Sequence, residues 1–447
     1  MGKKQIETKK IALVYSAPDP SWPSAKTIRE NLIATYVAAT QTAPQKFRIN
    51  EVSYDVNSIQ ESISQIKKLA PDIIVIPESL PVPTVFLGEL SQLKIAPEIH
   101  FHVYGDFTIQ THNWVRLEPI LKNFRVRFYV ASRAQYRLIS RMLARSDERN
   151  LIEFPFPIDA EFFNFNKSLF SADLKDPQNT SDLKLFYSGR LSRQKGAHLL
   201  LQWLYRLRQE TDFAKRVRID FAGAFDDIGS PLWSGTDPHG SSYFSWRTLV
   251  NELGLESCVN YCGEMNFTQL CNAHHSHDAY VSLSLYHDED YGMAPLEALS
   301  CGAPAILTDW GGFGSFDHGK DNVYLCRTQI DKNGLSASYQ DFKKAVESIY
   351  HEKHSATLAD QTRKRSARAA LFASIYSRQA LAGRLIKMIS DSSPMKFTGF
   401  SKLMHAHSKR MMSRQKGVPP YKEPTKNDPI YFKTYECYTS VQNRDSI

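Results

Sequence analysis

The sequence predicts an α/β protein with two doubly wound domains in tandem, each built on a parallel sheet. Three observations carry this. Apolar runs of strand length alternate with helical patterns along most of the chain, the rhythm of βαβ units. A polar stretch without periodicity, 173–182, divides those runs into two series. Finally, two acids eight positions apart, Glu289 and Glu297, flank the junction between a strand and a helix.

In the first series the strands are read at Ile11–Tyr15, Asp72–Ile76, Ile99–Tyr104, Arg125–Ala131 and Leu151–Phe154. The second series gives Leu183–Ser188, Val217–Gly223, Val259–Gly263, Ala279–Leu285, Ala303–Thr308 and Asn322–Cys326. Beyond Asp341 the pattern turns helical to about Ser390. The expected layout is a first Rossmann-like domain over 1–172, a linker over 173–182 and a second Rossmann-like domain over 183–375. Crossover helices and a basic, aromatic tail over 376–447 are expected to pack on the first domain. The tail holds five prolines among aromatics such as Phe397, Phe400, Tyr431, Tyr435 and Tyr438. That aromatic content argues for packing rather than disorder.

At 447 residues the chain is long enough for two or three domains, and 42% hydrophobic residues can supply their cores. No run approaches the ~18 apolar residues that would span a bilayer, and the start, Met1-Gly2-Lys3-Lys4, lacks a signal-peptide core. A cytoplasmic protein is expected. The six cysteines contain no C-x-x-C pair, and the near pair Cys258 and Cys262 has no second pair to complete a zinc pattern. They read as buried, reduced thiols.

The net charge of +8 is concentrated at the end of the chain. Residues 395–447 hold ten Lys and Arg against four Asp and Glu, a net +6. Such a segment suits an anionic membrane surface at the inner face or an anionic acceptor, and equally a solvated surface. Nucleic acid is not expected as a partner.

The acid pair lies in Glu289-Asp290-Tyr291-Gly292-Met293-Ala294-Pro295-Leu296-Glu297. Pro295 falls in the first turn of the predicted helix and Gly302 at its stop. Glu289 is therefore placed on the loop leaving a strand and Glu297 at the start of the following helix. Open α/β sheets bind ligands at that carboxyl edge, and a helix N-terminus there can hold an anion. Carboxylates accept hydrogen bonds from hydroxyls, so the pair suits a sugar and a ribose beside a phosphate. Ahead of it, Gly189-Arg190-Leu191-Ser192-Arg193-Gln194-Lys195-Gly196 follows the strand ending at Ser188. It precedes a helix with apolar residues at Leu199, Leu200, Trp203, Leu204 and Leu207. Two cations five apart on such a loop can neutralise a diphosphate.

Residues 284–312 resemble the E-x7-E signature of retaining GT-B glycosyltransferases, family four in particular, and 189–196 resembles that family's G-R-x(4)-K-G element. Phe156-Pro157-Ile158-Asp159 is similar to a family turn, and Cys262-Gly263-Glu264-Met265 to the element bordering the nucleobase. Trp310-Gly311-Gly312 falls where the family passes close to its ligand. The resemblance is good over roughly 125–330. It implies a metal-independent, retaining transfer of a sugar, a hexose by the family's habit, from a UDP- or GDP-linked donor to a glycan or lipid-linked acceptor, with no cofactor. Arg190 and Lys195 would hold the diphosphate, Glu289 the sugar hydroxyls and Glu297 the ribose. Met265, Tyr291, Gly292 and Met293 would complete the donor site. A histidine near the end of a middle strand is also implied. His102, close to Asp106, is preferred over His112 and over His100, which shares its face of the strand.

The first domain departs from the family. Its first loop, Ser16-Ala17-Pro18-Asp19-Pro20-Ser21-Trp22, has no glycine. That departure keeps open a catalytically inactive GT-B protein serving as a sugar-nucleotide-binding adaptor. The basic balance keeps open a glycosyltransferase acting on nucleic acid. Asp288-Glu289-Asp290 spells the D-x-D of metal-dependent enzymes, but it overlaps the two-glutamate pattern, which needs no metal.

Overall fold

Ile11–Val14 is buried on both faces and forms the centre of β1 (Lys9–Ser16). In this computed structural model, β1 is followed by β2 (Phe47–Tyr54), β3 (Ile73–Ile76), β4 (Glu98–Val103), β5 (Arg125–Val130) and β6 (Leu151–Glu153). All pair in parallel, in the order β2-β1-β3-β4-β5-β6. The structure describes every residue except 1–7, 17–22, 55–57, 78–82, 94, 105–106, 174–181, 226–240, 320–321, 332–333, 392, 415–428 and 440–447. Asp106, most of the Pro-rich first loop and most of the expected linker lie outside the described residues.

The second sheet comprises β7 (Leu183–Ser188), β8 (Val217–Ala222), β9 (Val259–Tyr261), β10 (Ala279–Ser282), β11 (Ala305–Thr308) and β12 (Val323–Cys326). They too are parallel, ordered β12-β11-β10-β7-β8-β9. Winding therefore runs one way from β7 to β9 and the other way from β10 to β12. The reversal falls between β7 and β10, which leaves a crevice at their carboxyl ends. Leu185, Ile219, Val281 and Ile306 from the sheet pack with Leu200, Leu204, Trp246 and Phe342 from the flanking helices. A short hairpin, β13 (Thr328–Asp331) with β14 (Gly334–Ala337), follows.

The chain divides into two compact units: Met1–Asp159 with Ile375–Met412, and Ala160–Ser374 with Ser413–Ile447. Two boundaries differ from the expected ones. Residues 160–173 belong to the second unit because their aromatics are used there. Phe163 packs on Phe267, Phe165 stacks on His275, and the Asn166 N–H donates to His275 Nε2 at 2.8 Å. The tail is shared between the units. On the first unit, buried Asp147 accepts from the N–H groups of Thr398 and Gly399, and Met395 exchanges hydrogen bonds with Asn150. The helix Lys402–Arg414 continues on this unit with Met404, His407 and Met411 buried. Residues 429–439 instead pack on the second unit, contrary to the expectation that the whole tail covers the first domain. Three tyrosines there find an aromatic partner in Trp310 or beside it.

Candidate active site

The loops after β7 and β10 meet at the switch point. Leu285 N–H donates to Gln194 O at 3.1 Å, and a Cβ on Gly196 would lie 2.2 Å from Leu283 O, so only glycine permits this approach. Gly196 (φ 80°) also starts the helix Ala197–Glu210. Lys195 is thereby delivered to Glu289, with Nζ 2.8 Å from Oε2. Ser284 Oγ donates to the same carboxylate oxygen. Lys195 also lies over the Tyr286 ring, 4.5 Å from its centroid, and the Arg190 guanidinium stands 6.0 Å from that centroid. Both cations are half-buried. An acid and two cations thus gather about the Tyr286 ring, partly out of water, where a lowered dielectric strengthens their interactions.

The backbone behind Glu289 is fixed by the glycines after β11. Gly312 N–H donates to Glu289 O at 2.6 Å, and a Cβ on Gly311 would lie 2.2 Å from that oxygen. Trp310 is fully buried, and its Nε1 donates to Tyr286 O at 2.6 Å.

Glu297 lies on the helix Met293–Ser300, one turn beyond Gly292 (φ 110°), and is buried. Burial pushes its carboxyl up to about 7. Met293 starts this helix and is half-buried, and Tyr291 is buried against Phe316. Met265 follows β9. There, Gly223 N–H donates to Gly263 O at 2.9 Å, and Gly223 abuts Gly189, so the loops after β7, β8 and β9 run side by side. The predicted residues Arg190, Lys195, Met265, Glu289, Tyr291, Gly292, Met293 and Glu297 therefore share the carboxyl edge of one sheet.

The candidate histidines lie in the first unit. His102 is fully buried in the first unit, stacked on Tyr129 at 4.8 Å and bonded through Nε2 to Tyr36 Oη at 3.0 Å. Burial holds its pKa down at about 3. His100 is equally buried, with Glu98 and Tyr129 as partners. Helices cover both faces of a parallel sheet, so alternation along β4 gives neither histidine an open face. His112 is half-buried near the start of the helix Thr111–Leu121.

Sequence reasoning missed Ser284, Tyr286 and Tyr438. Ser284 and Tyr286 sit within five residues of Glu289, but hydroxyls and rings so close to an apolar strand read as core. Tyr438 donates from its hydroxyl to Asp290 Oδ1 at 3.1 Å, so one acid of the D-x-D triplet is engaged by a phenol and the central one by an ammonium. Elsewhere, Cys271, His275 and Cys301 offer ligand atoms within 4.8 Å of one another. His275 Nε2 accepts from Asn166, so Nδ1 carries the proton and donates to Cys271 O at 2.7 Å. With both ring nitrogens engaged, the cluster is thiol packing between two helices rather than a metal cage.

The two six-stranded parallel sheets form the GT-B architecture of glycosyltransferases. Residues 172–365 match the family Glycosyl transferases group 1. A D-inositol 3-phosphate glycosyltransferase of Arthrobacter sp. (strain FB24) is 26% identical over 169 residues, 38% of this chain and 34% of that protein. The chain thus spans about a third of the length of that curated relative. Among solved structures, Anabaena HepE in complex with UDP-glucose superposes with a TM-score of 0.60 at 13% identity, covering 86% of this chain and all of the other. Sucrose-phosphate synthase of Thermosynechococcus elongatus gives 0.59 at 15% identity, covering 86% and 98%. No described helix is long and apolar enough to cross a membrane.

Proposed function

We propose that this chain is a retaining hexosyltransferase that moves a sugar from a nucleotide donor to an acceptor hydroxyl. The observation that carries the reading is the Lys195–Glu289 pair at the switch point of the second sheet. In a nucleotide sugar the sugar hydroxyls lie close to the diphosphate bonded at the anomeric carbon. An acid for the hydroxyls and a cation for the phosphate must therefore be neighbours. Arg190 and Lys195 stabilise charge on the departing diphosphate, where preorganised cations lower a barrier most. Glu289 grips the sugar and Glu297 the ribose. The bond from the anomeric carbon to the diphosphate oxygen breaks, and the acceptor oxygen bonds to the same face. The acceptor proton passes to the leaving phosphate.

UDP is the favoured nucleotide, because the HepE structure that resembles this chain was solved with UDP-glucose. The acceptor is a glycan or lipid-linked hydroxyl, and the basic tail suits work at the inner, anionic face of a membrane. No metal is required, since Arg190 and Lys195 supply the positive charge. The test is a panel of UDP- and GDP-sugars, read by release of nucleoside diphosphate and by thermal shift. Binding and release with at least one donor are expected. Thermal shifts without turnover would favour the adaptor reading, and neither response with any donor would overturn the proposal.

A further inference from the structure

The described end of the chain closes over the back of the loop that carries Glu289. Pro429–Tyr435 is helical and leads through Glu436–Tyr438 to Thr439. Tyr431, Thr434, Tyr435, Tyr438 and Thr439 are all buried. Tyr438 packs edge-on against Trp310 at 5.2 Å, Tyr435 lies 6.3 Å from the same ring, and Thr439 pairs with Trp310 through a backbone bridge. Tyr435 also meets His287 edge-on at 6.2 Å. Packing alone would require only rings. Tyr438, however, spends its hydroxyl on Asp290, the residue next to Glu289, in a site where both side chains are buried.

The loop 286–291 is therefore held from several sides. Lys195 and Ser284 fix the Glu289 carboxylate, Gly312 fixes its carbonyl, Trp310 fixes Tyr286, and Tyr438 fixes Asp290. The first four holds come from the sheet's own loops. The last comes from a segment some 150 residues downstream. We propose that the 429–439 segment is a clasp that sets the position of the Glu289 carboxylate, with Tyr438 as a positioning residue for recognition of the donor sugar. The inference rests on the reading of Glu289 as the sugar-binding acid. It adds a determinant outside the matched residues 172–365.

Rigid placement matters because a displacement of about 1 Å in a site of this kind costs roughly 100-fold in rate. The nucleotide is held by other groups, Arg190, Lys195 and Glu297. Loss of the clasp therefore acts on the sugar and spares the nucleotide, whereas general unfolding would weaken both. The test uses the full chain with Tyr438→Phe, which keeps the ring and removes the hydroxyl, and with Asp290→Asn, which keeps an acceptor oxygen. UDP and UDP-glucose are titrated against each variant, and hydrogen exchange is followed over 284–292. In Tyr438→Phe the UDP-glucose affinity should fall roughly ten-fold relative to UDP, with faster exchange in the loop. Asp290→Asn should lose less. An unchanged ratio of the two affinities, with wild-type exchange, would overturn the clasp while leaving the transferase reading intact. If Tyr438→Phe fails to fold, the ratio in Asp290→Ala decides by the same criterion. Failure of the wild-type chain to bind either ligand would instead overturn the donor reading and the clasp with it.

Discussion

Lys195 Nζ lies 2.8 Å from Glu289 Oε2 although 94 positions separate the two residues in the chain. Gly196 makes this possible by letting the loop after β7 press against Leu283. The pair is mostly buried, so each charge depends on the other for solvation. Removing Lys195 does two things at once: it takes away a cation for the leaving group and leaves the Glu289 carboxylate to the Ser284 hydroxyl. Lys195→Met should lower turnover by roughly 100-fold or more, and Arg190→Ala should do the same without disturbing Glu289. Because Lys195 and Glu289 act as a unit, Lys195→Met combined with Glu289→Gln should cost far less than the product of the two single losses. Strict additivity in a kcat/KM cycle would show that the pair is not functionally coupled.

Glu297 gives a pH-dependent signature in stability. Its folded-state pKa of about 7 stands above its ordinary 4.5, so the folded state holds a proton that the unfolded chain releases between those values. Stability must then fall as pH rises from 4.5 to 7, with the full penalty present above 7. Glu297→Gln cannot ionise and escapes this penalty, by up to ~3 kcal/mol at about 1.4 kcal/mol per unit. Its Tm should exceed that of wild type at pH 8, and the gap should close toward pH 4.5. Nucleoside diphosphate binding should weaken in the same variant, because a ribose hydroxyl prefers a carboxylate acceptor. A gap that is independent of pH would show that the carboxyl titrates normally in the fold.

Chelation separates the two readings of Asp288-Glu289-Asp290. Asp290 is engaged by Tyr438 and Glu289 by Lys195, so a cation at the triplet would have to displace a phenol and an ammonium. Donor turnover should persist in EDTA. Complete loss, restored by Mg²⁺ or Mn²⁺, would mean that the triplet holds a metal and that the cation loop alone is insufficient.

Much of this site was legible before any coordinates because its chemistry is local. Arg190 with Lys195, and Glu289 with Glu297, each fall within one loop-to-helix junction, and the apolar runs before them mark strands unambiguously. The strand Phe47–Tyr54 was missed for a physical reason. It is an edge strand whose burial does not alternate cleanly, with Arg48, Glu51 and Ser53 exposed, so neither a continuous apolar run nor a period of two was present. The hairpin Thr328–Ala337 is likewise short and polar. For His102 the sequence alone does not decide, because β4 is buried on both faces and a histidine on such a strand is equally compatible with core and crevice. Tyr438 could not be placed because nothing local in the tail specifies Trp310 as its partner. That pairing exists only once β11 and its glycine turn are folded.

The basic tail yields the last prediction. On the helix Lys402–Arg414, Met404, His407 and Met411 point into the first unit, while Lys402, Lys409 and Met412 remain exposed. The helix thus presents charge and a thioether outward while its other face anchors it, the arrangement needed to dock without unfolding. Each basic residue that reaches an anionic membrane surface contributes ~1 kcal/mol of attraction, which fades within a Debye length. Lys402→Gln with Lys409→Gln should leave the fold and UDP binding unchanged, since neither side chain is buried. Cosedimentation with phosphatidylserine-containing vesicles at low salt should fall roughly ten-fold or more, and added salt should weaken the wild-type protein in the same way. Wild-type protein that stays in the supernatant at low salt would rule out the membrane role and leave the tail's charge as solvated surface, with its function confined to the clasp at its end.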